Sequence, residues 1–367
     1  MTKKKVIQWA TGHVGQGTLR AIIGHPDLEL VGVRVYGAEK DGVDAGSLCG
    51  LGDVGVLATT DVEALLALSA DCVCYTALES AGIDAVTEDM CRILSSGTNL
   101  VGSTLLPLIY PAGVSPLLTD AVRQLETAAQ QGGSTLYVSG VNPGCLLDVI
   151  PPLLVSGCID IDCIRVVEHY SDISWYQDGS LGRELFGLSL TPEEFEATQE
   201  LRLMIMAEYF GCALKLLAHG LGGDLTGLVT SLSPVSTKEA FDLNGLHVGE
   251  GTVGACHARL EGRVGATKLI YDEFVSGSPL VHCPDWPSAP GGGGGYRIDV
   301  SATPEVNLSL TFGRDGPLAM ADAFAFTSNR LVNSIPTVCA APAGLMPVLS
   351  IARNVVGRPK FDTSYAE

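Results

Sequence analysis

The chain has 367 residues, of which 46% are hydrophobic and 17% are charged; this length predicts two domains or one large domain with an insertion, and the low charge excludes a disordered chain. The 22 Lys and Arg against 41 Asp and Glu give a net charge of −19, so we expect neither nucleic acid nor an anionic membrane as a partner. No uninterrupted apolar run reaches the ~18 to 20 residues that a membrane span requires.

The first part of the chain alternates strand-like and helix-like patterns. We predict strands at Lys5–Ala10, Leu28–Val35, Asp71–Thr76, Asn99–Gly102 and Thr135–Ser139. Helical patterns lie between them at Val14–Ile23, Val62–Leu68, Ile83–Leu94 and Pro116–Gln130. This alternation is typical of a doubly wound parallel sheet with right-handed crossovers. Residues 1–145 are therefore predicted to form an α/β domain.

The pattern changes after Asn142-Pro143-Gly144. We predict a helix at Leu146–Leu154, a strand at Ile161–Tyr170, a helix beginning at Thr191 and another helix at Arg202–Ala218. Alternating segments from Leu225 to Phe312 indicate a mixed or antiparallel sheet, Gly291–Gly295 indicates a loop, and Leu318–Leu331 is predicted to be helical. Residues 146–325 are thus predicted to be a second, α+β domain. Residues 326–367 are expected to pack back on the first domain.

The segment from Val6 to Gly17 carries the most specific signal. It predicts a strand, a tight turn and a helix start, which is the context of a dinucleotide-binding fingerprint. Gly12 would let the backbone approach a diphosphate, and Gly15 would allow close packing of helix on strand. Ala10 stands where the first glycine of the pattern is usual, and an ordinary turn without a ligand is the alternative. The candidate cofactor-binding residues here are Ala10, Thr11, Gly12, His13 and Val14, and the domain they open is predicted to be a Rossmann domain.

The end of the second predicted strand indicates which nicotinamide cofactor binds. An NAD site places an acidic residue there to hold the ribose 2′-hydroxyl, but this chain has Arg34 followed by Tyr36. Arg34, with Lys40 nearby, would pair with a 2′-phosphate, which favours NADP and leaves NAD possible. A solvated strand-end charge is the alternative for Arg34.

Small residues follow three later strands. Thr76 and Ala77 follow the third predicted strand, Ser103 follows the fourth, and Asn142 follows the fifth. Because ligands of open α/β sheets bind at the carboxyl edge, we predict that these residues line a nicotinamide pocket. Turns are rich in such residues anyway, so each is weak evidence alone.

Several motifs in this order resemble one known family. They are Val6–Gly15, Leu30–Tyr36, Asp44-Ala45-Gly46, Gly140–Gly144 with Leu146-Leu147-Asp148, Asp285-Trp286-Pro287 and Asn333–Pro342. The chain resembles the dihydrodipicolinate reductase-like NAD(P)-dependent amine dehydrogenases, which include 2,4-diaminopentanoate dehydrogenase. The resemblance implies a Rossmann domain, a second α+β domain, a homodimer, and hydride transfer to a C=N or C=O carbon.

One departure from the family concerns proton transfer. Members carry a Glu shortly before a Tyr-Pro pair, and it handles the amine proton; here Leu106 or Pro107 occupies that position, before Tyr110-Pro111. Tyr176 or His169 is our candidate proton donor, and Asn142 is expected to position the nicotinamide or the substrate. As alternatives to a role in proton transfer, His169 would be a strand histidine whose hydrogen bonds are satisfied by a partner, and Tyr176 would be part of an apolar pocket wall.

The resulting hypothesis is a cytoplasmic NAD(P)H-dependent oxidoreductase that reduces a ketone or imine on a moderately apolar small molecule. The 11 Cys, odd in number and without a Cys-x-x-Cys pair, favour free thiols in a reducing compartment. No metal site is predicted. The alternatives are an amine dehydrogenase with a relocated acid/base residue and a non-catalytic NADP-binding sensor.

Overall fold

The structure is a computed structural model that describes residues 2–173, 179–292, 294–312 and 319–350. The described residues divide into two compact units. The first contains residues 2–108, 118–140 and 324–350, and the second contains residues 109–117 and 141–323 except the undescribed ones. The short segment 109–117, which the sequence pattern placed in the first domain, thus groups with the second unit.

The first unit begins with six parallel strands. They are β1 (Lys4–Trp9), β2 (Leu28–Arg34), β3 (Ala58–Thr59), β4 (Cys72–Tyr75), β5 (Asn99–Gly102) and β6 (Thr135–Val138). Every residue of β4 is buried, as expected for a parallel strand covered on both faces. All five strands predicted for this region are confirmed to within one or two residues.

Five helices connect these strands. They are α1 (His13–Ile23), α2 (Ala45–Leu48), α3 (Val62–Leu66), α4 (Ile83–Ser95) and α5 (Thr119–Gly132). Each long helix buries one stripe at helical spacing, such as Gly15, Thr18, Leu19 and Ile22 of α1, since only one side faces the sheet. The α/β prediction is therefore confirmed.

The second unit is built on a six-stranded mixed sheet. Its strands are β7 (Ile159–Tyr170), β8 (Thr226–Ser236), β11 (Val253–Val264), β12 (Thr267–Ser276), β13 (Gly294–Thr303) and β14 (Val306–Leu310), in the order β14-β13-β7-β12-β11-β8. The β7–β12 pair is parallel and the other pairs are antiparallel. A two-stranded ribbon is formed by β9 (Phe241–Leu243) and β10 (Leu246–Val248). The predicted mixed sheet is confirmed.

Three helices belong to the second unit: α6 (Ile150–Val155), α7 (Ser180–Phe186) and α8 (Pro192–Gly220). Thr191 and Glu194 form the reciprocal hydrogen bonds of a capping box at the start of α8, so the predicted helix start is confirmed. The chain then enters α9 (Ala319–Val338) and ends its described part with β15 (Gly344–Met346), which adds to β6. The parallel sheet of the first unit thus has the order β15-β6-β5-β4-β1-β2-β3.

Three local predictions were wrong. Residues 146–149 form turns, in which Leu146 N–H donates to the Val141 carbonyl and Val149 N–H to the Cys145 carbonyl, and the helix begins only at Ile150. The two helices predicted after Thr191 are one helix of 29 residues, since no proline interrupts the stretch. Gly294 and Gly295 begin β13 instead of lying in a loop; a Cβ at Gly294 would stand 2.9 Å from the Tyr170 ring, so glycine permits close strand pairing there.

Within the described residues, no helix is both long enough and apolar enough to cross a bilayer. All 11 cysteines lie in the described ranges and are free thiols.

Candidate active site

The turn after β1 has the geometry that its glycines predict. Ala10 has a φ of 73°, a left-handed conformation for which glycine is the usual choice. A Cβ at Gly15 would stand 2.3 Å from the Ala10 carbonyl oxygen, whereas a Cβ at Gly12 would meet no atom within 4 Å. Gly12 is the N-cap of α1, and no side chain caps this helix start. The turn therefore offers helix N-terminal amides beside open space, which suits a diphosphate.

Buried polar side chains hold this turn in place. Gln8 donates from Nε2 to the Ala10 carbonyl and to Thr76 Oγ1, both at 2.9 Å. Thr76 in turn donates to the Trp9 carbonyl (3.1 Å), and Thr18 donates to Gln8 Oε1 (2.6 Å). The hydroxyl of Thr76, a predicted cofactor contact, is thus engaged by the turn itself.

Positive charge lies at the end of β2. The Arg34 guanidinium lies 4.6 Å from the centre of the Tyr36 ring, and Trp9 Nε1 donates to the Tyr36 hydroxyl (3.1 Å). Arg34 also donates to the Val35 carbonyl, while its Nε has no partner among the described residues. Lys40 Nζ lies 3.5 Å from Thr11 Oγ1. Two cations therefore flank the glycine turn.

The ends of β4 and β5 meet beside the same turn. Thr104 donates its hydroxyl to the Ala77 carbonyl (2.6 Å), and the Ser103 amide donates to the Tyr75 carbonyl (3.2 Å). The next amide along, that of Leu105, donates to the Glu79 carboxylate (2.6 Å). The first unit thus gathers most of the predicted cofactor residues at one sheet edge. Of the remaining three, Val14 accepts a hydrogen bond from Ser328 Oγ (3.0 Å), His13 packs edge-to-face on Phe324 with ring centres 5.3 Å apart, and Asn142 belongs to the second unit.

A second cluster lies in the other unit and includes Asn142. Asn142 Nδ2 donates to Glu168 Oε2 and to the Tyr271 hydroxyl, the latter at 3.1 Å. Glu168 accepts two further hydrogen bonds, from Tyr271 (2.8 Å) and from Tyr296 (2.6 Å). Both Nδ2 hydrogens of Asn142 are thus used by Glu168 and Tyr271. The Oδ1 atom of the same amide is buried and has no hydrogen-bond partner in the described structure.

Two carboxyl groups are buried in this cluster. Glu168 and Glu273 are 7% and 6% exposed. Burial raises the pKa of Glu168, although hydrogen bonds from Tyr296, Asn142 and Tyr271 oppose the rise. Burial, with the negative charge of Glu168, raises the pKa of Glu273 well above its usual value. Buried carboxyl groups with raised pKa values are frequent at functional sites.

Sequence reasoning missed Glu168 and Glu273. The available signal was a Glu inside each of two strands, next to Val167 and His169 in one and Asp272 and Phe274 in the other. Such a residue looks the same in sequence whether it faces solvent or a core. Only strand pairing places the two together.

The structure does not bring His169 to this cluster. Side chains alternate along β7, so His169 faces away from Glu168 and packs instead on Phe274 and Trp286, with ring centres 5.4 and 5.8 Å away. Burial lowers the pKa of His169 to about 4, so the ring is neutral at pH 7. Tyr176, the other predicted donor, lies outside the described residues.

Comparison with known proteins relates the whole chain to one group of enzymes. The sequence is 32% identical over 360 residues to an amine dehydrogenase of Streptomyces virginiae, covering 96% of this chain and 97% of that one. It is 22% identical to 2,4-diaminopentanoate dehydrogenase of Acetoanaerobium sticklandii, over 83% of this chain and 90% of the relative. The solved amine dehydrogenase structure from Mycobacterium smegmatis matches with a TM-score of 0.73 at 20% identity, over 98% of both chains. No protein-family model matches the sequence.

Proposed function

This chain belongs to the dihydrodipicolinate reductase-like family of NAD(P)-dependent amine dehydrogenases, and on that premise we propose that it transfers hydride between a nicotinamide cofactor and a C=O or C=N carbon. The proposal rests most directly on the glycine turn of the first unit. The open space at Gly12 and the enforced close packing at Gly15 are the two features that a dinucleotide requires of this motif. The substrate is a moderately apolar small molecule.

The residues around the turn fit the cofactor. Thr11, Gly12 and the first amides of α1 would hold the diphosphate, and Arg34 with Lys40 would hold a 2′-phosphate. The guanidinium supports NADP, because the end of β2 has a cation where an NAD site has an acidic residue. A bound nicotinamide would supply or take up the hydride.

The proton-transfer group differs from that of the family. Leu106 begins a short 3-10 helix that runs to Ile109, and an apolar side chain there neither accepts a proton nor holds an ammonium group. Of our predicted catalytic residues, Asn142, which we expected to position the nicotinamide or the substrate, is hydrogen bonded to a buried carboxylate. We further propose that the enzyme is a cytoplasmic homodimer, which the free thiols and the family support.

Two measurements test this proposal. The first is calorimetric titration of the purified protein with NADPH and NADH. The second is NADPH oxidation across a panel of ketones, with and without concentrated ammonium. Turnover of ketones without ammonium supports a ketone reductase, and turnover that requires ammonium supports an amine dehydrogenase.

The remaining outcomes are equally informative. Saturable NADPH binding without turnover of any carbonyl, imine or enone compound would favour a sensor. Failure to bind either cofactor would refute the proposal. Replacing Arg34 with Ala tests the 2′-phosphate site separately. Arg123→Ala is the matched control for that variant, because Arg123 is an exposed residue of α5 whose ion pair is with the nearby Asp120.

A further inference from the structure

Strand pairing places two carboxyl groups side by side in the second unit. β7 and β12 run parallel, and Glu168 is the register partner of Glu273. Register partners of adjacent strands point to the same face of a sheet, so both side chains enter the same buried layer. On this face Tyr271 stacks on Phe210 of α8, with ring centres 4.6 Å apart.

The hydrogen bonds show which of the two carries the charge. Two buried carboxyl groups in contact do not both ionise. Glu168 accepts from Asn142, Tyr271 and Tyr296, the pattern of a carboxylate. Glu273 Oε2 has no partner among the described atoms, which is consistent with a neutral carboxylic acid. These contacts favour a carboxylate at Glu168 and a neutral acid at Glu273.

The titratable groups beside the pair are three tyrosines and a cysteine, and the buried Arg202 of α8 lies beyond that cysteine. Burial raises the pKa values of Tyr170, Tyr271 and Tyr296 well above the usual value for tyrosine, and it raises that of Cys256 on β11 to about 12. Asn142 and Phe210 do not titrate. The Tyr170 hydroxyl already uses its proton in a hydrogen bond, which it donates to the Tyr296 hydroxyl (2.6 Å). The proton that can move within this cluster is thus the one that Glu168 and Glu273 share.

We propose that the Glu168–Glu273 pair, braced by Asn142 and Tyr271, is the group that exchanges a proton with the substrate nitrogen. This inference rests on the proposed function and assigns the role that Leu106 or Pro107 cannot fill. In the direction of amine oxidation, the substrate ammonium gives one N–H proton to the Glu168 carboxylate. The N–H bond breaks as the O–H bond forms, and nitrogen keeps the electron pair as a neutral amine. In the direction of reduction, the carboxylic acid returns that proton to the newly formed amine.

The orientation of Asn142 supports a nitrogen ligand. Its unpartnered atom in the described structure is an acceptor, Oδ1, which matches an N–H donor such as an ammonium or iminium group. A ketone oxygen would need a donor at this place instead. The charge on Glu168 in turn keeps Glu273 protonated, since a charge on both groups is unfavourable.

The test compares three pair variants with one control. Glu168→Gln removes the charge, Glu168→Asp keeps a carboxylate on a shorter side chain, and Glu273→Gln replaces the neutral acid with a neutral amide. Glu261→Gln is the control, because Glu261 lies on neighbouring β11, pairs with Arg259 (2.8 Å) and has no contact with the pair. Thermal unfolding and NADPH affinity are measured for every variant.

We expect Glu168→Gln to lower kcat by about 10²- to 10⁴-fold, the usual contribution of a general acid or base, with unchanged NADPH affinity. Glu168→Asp should retain part of the activity. Glu273→Gln should leave the acidic limb of the pH profile of kcat/KM near its wild-type position, because it replaces a neutral acid with a neutral amide beside Glu168. Adding Leu106→Glu to Glu168→Gln should restore part of kcat.

Infrared spectroscopy of the protein without cofactor gives an independent readout. At pH 7 the wild type should show a buried carboxylic acid C=O band that is lost in Glu273→Gln and kept in Glu261→Gln. Absence of this band overturns the proposal whether or not the enzyme turns over. The proposal is also overturned if the wild type is active and Glu168→Gln keeps the wild-type rate and pH profile. It is likewise overturned if the activity depends on the Glu79 carboxylate and not on Glu168. In both cases the proposed hydride transfer remains supported.

Discussion

Replacing Arg34 with Ala should change the cofactor preference of this protein. The guanidinium lies at the end of β2, over the Tyr36 ring at 4.6 Å, and Lys40 Nζ lies 3.5 Å from Thr11 Oγ1 of the glycine turn. A 2′-phosphate placed there would form charge-assisted hydrogen bonds with Arg34. NADH has no such phosphate and would lose only a stacking contact.

The size of the effect follows from these two contacts. A hydrogen bond to a charged group contributes about 1.5 to 3 kcal/mol, so NADPH affinity should fall about 10- to 100-fold. An exposed cation–π contact contributes about 0.5 to 1 kcal/mol, so NADH affinity should fall only about 2- to 5-fold. Arg34→Lys should give an intermediate loss for NADPH, since it keeps the charge but not the planar fork.

The assay is a titration of the protein with each reduced cofactor, followed by nicotinamide fluorescence at two salt concentrations. The NADPH affinity of the wild type should weaken with salt more steeply than that of Arg34→Ala, because the variant lacks one exposed charge pair. Arg123→Ala should leave both affinities unchanged. If Arg34→Ala weakens NADPH and NADH by the same factor, Arg34 does not bind the 2′-phosphate.

Two further predictions concern the glycine turn and His169. Gly15→Ala should lower the free energy of unfolding by about 1 to 3 kcal/mol, because its Cβ would stand 2.3 Å from the Ala10 carbonyl. The Cβ of Gly12→Ala would meet no atom, so this variant should keep the free energy of unfolding within about 0.5 kcal/mol but bind the cofactor more weakly. Urea unfolding and calorimetric cofactor titration check both variants, and equal behaviour of the two would contradict the prediction. Burial lowers the pKa of His169 to about 4, so between about pH 6.5 and 4 the unfolded chain binds a proton there that the folded chain does not. As the pH is lowered through this range, the free energy of unfolding should therefore fall by at most about 3.4 kcal/mol. His169→Gln should reduce that slope in urea unfolding at pH 7, 6 and 5, and an unchanged slope would contradict the prediction.

The parallel sheet of the first unit was predictable because its signals are local. Each strand is a short apolar run, and each long helix carries its apolar stripe at regular spacing, so residues close in sequence suffice to define the element. The same holds for the glycine turn, where Gly12 and Gly15 have backbone roles that depend on neighbours in the chain. Local patterns failed instead in the second unit, at Leu146–Val149, which form turns, and at the glycines that begin β13, whose role depends on a distant strand.

The second unit shows what lies beyond local patterns. Alternation along β7 predicts that His169 and Tyr170 point to opposite faces, but it does not say which face is functional. The functional face is determined by the pairing of β7 with β12, which follows about a hundred residues later in the chain. This pairing places Glu168 beside Glu273 and Tyr271. A carboxylate in a strand acquires its charge state from such distant neighbours, because burial and hydrogen bonding depend on what packs around it.

From its residues alone, this chain therefore specified the order of its strands and helices, the glycine turn and the family to which it belongs, since these depend on contiguous segments. The partners of Asn142, the orientation of His169 and the carboxyl pair were decided by the tertiary structure. Each of them depends on strand register between remote segments, and a shift of one residue in that register would turn every one of these side chains to the other face of the sheet.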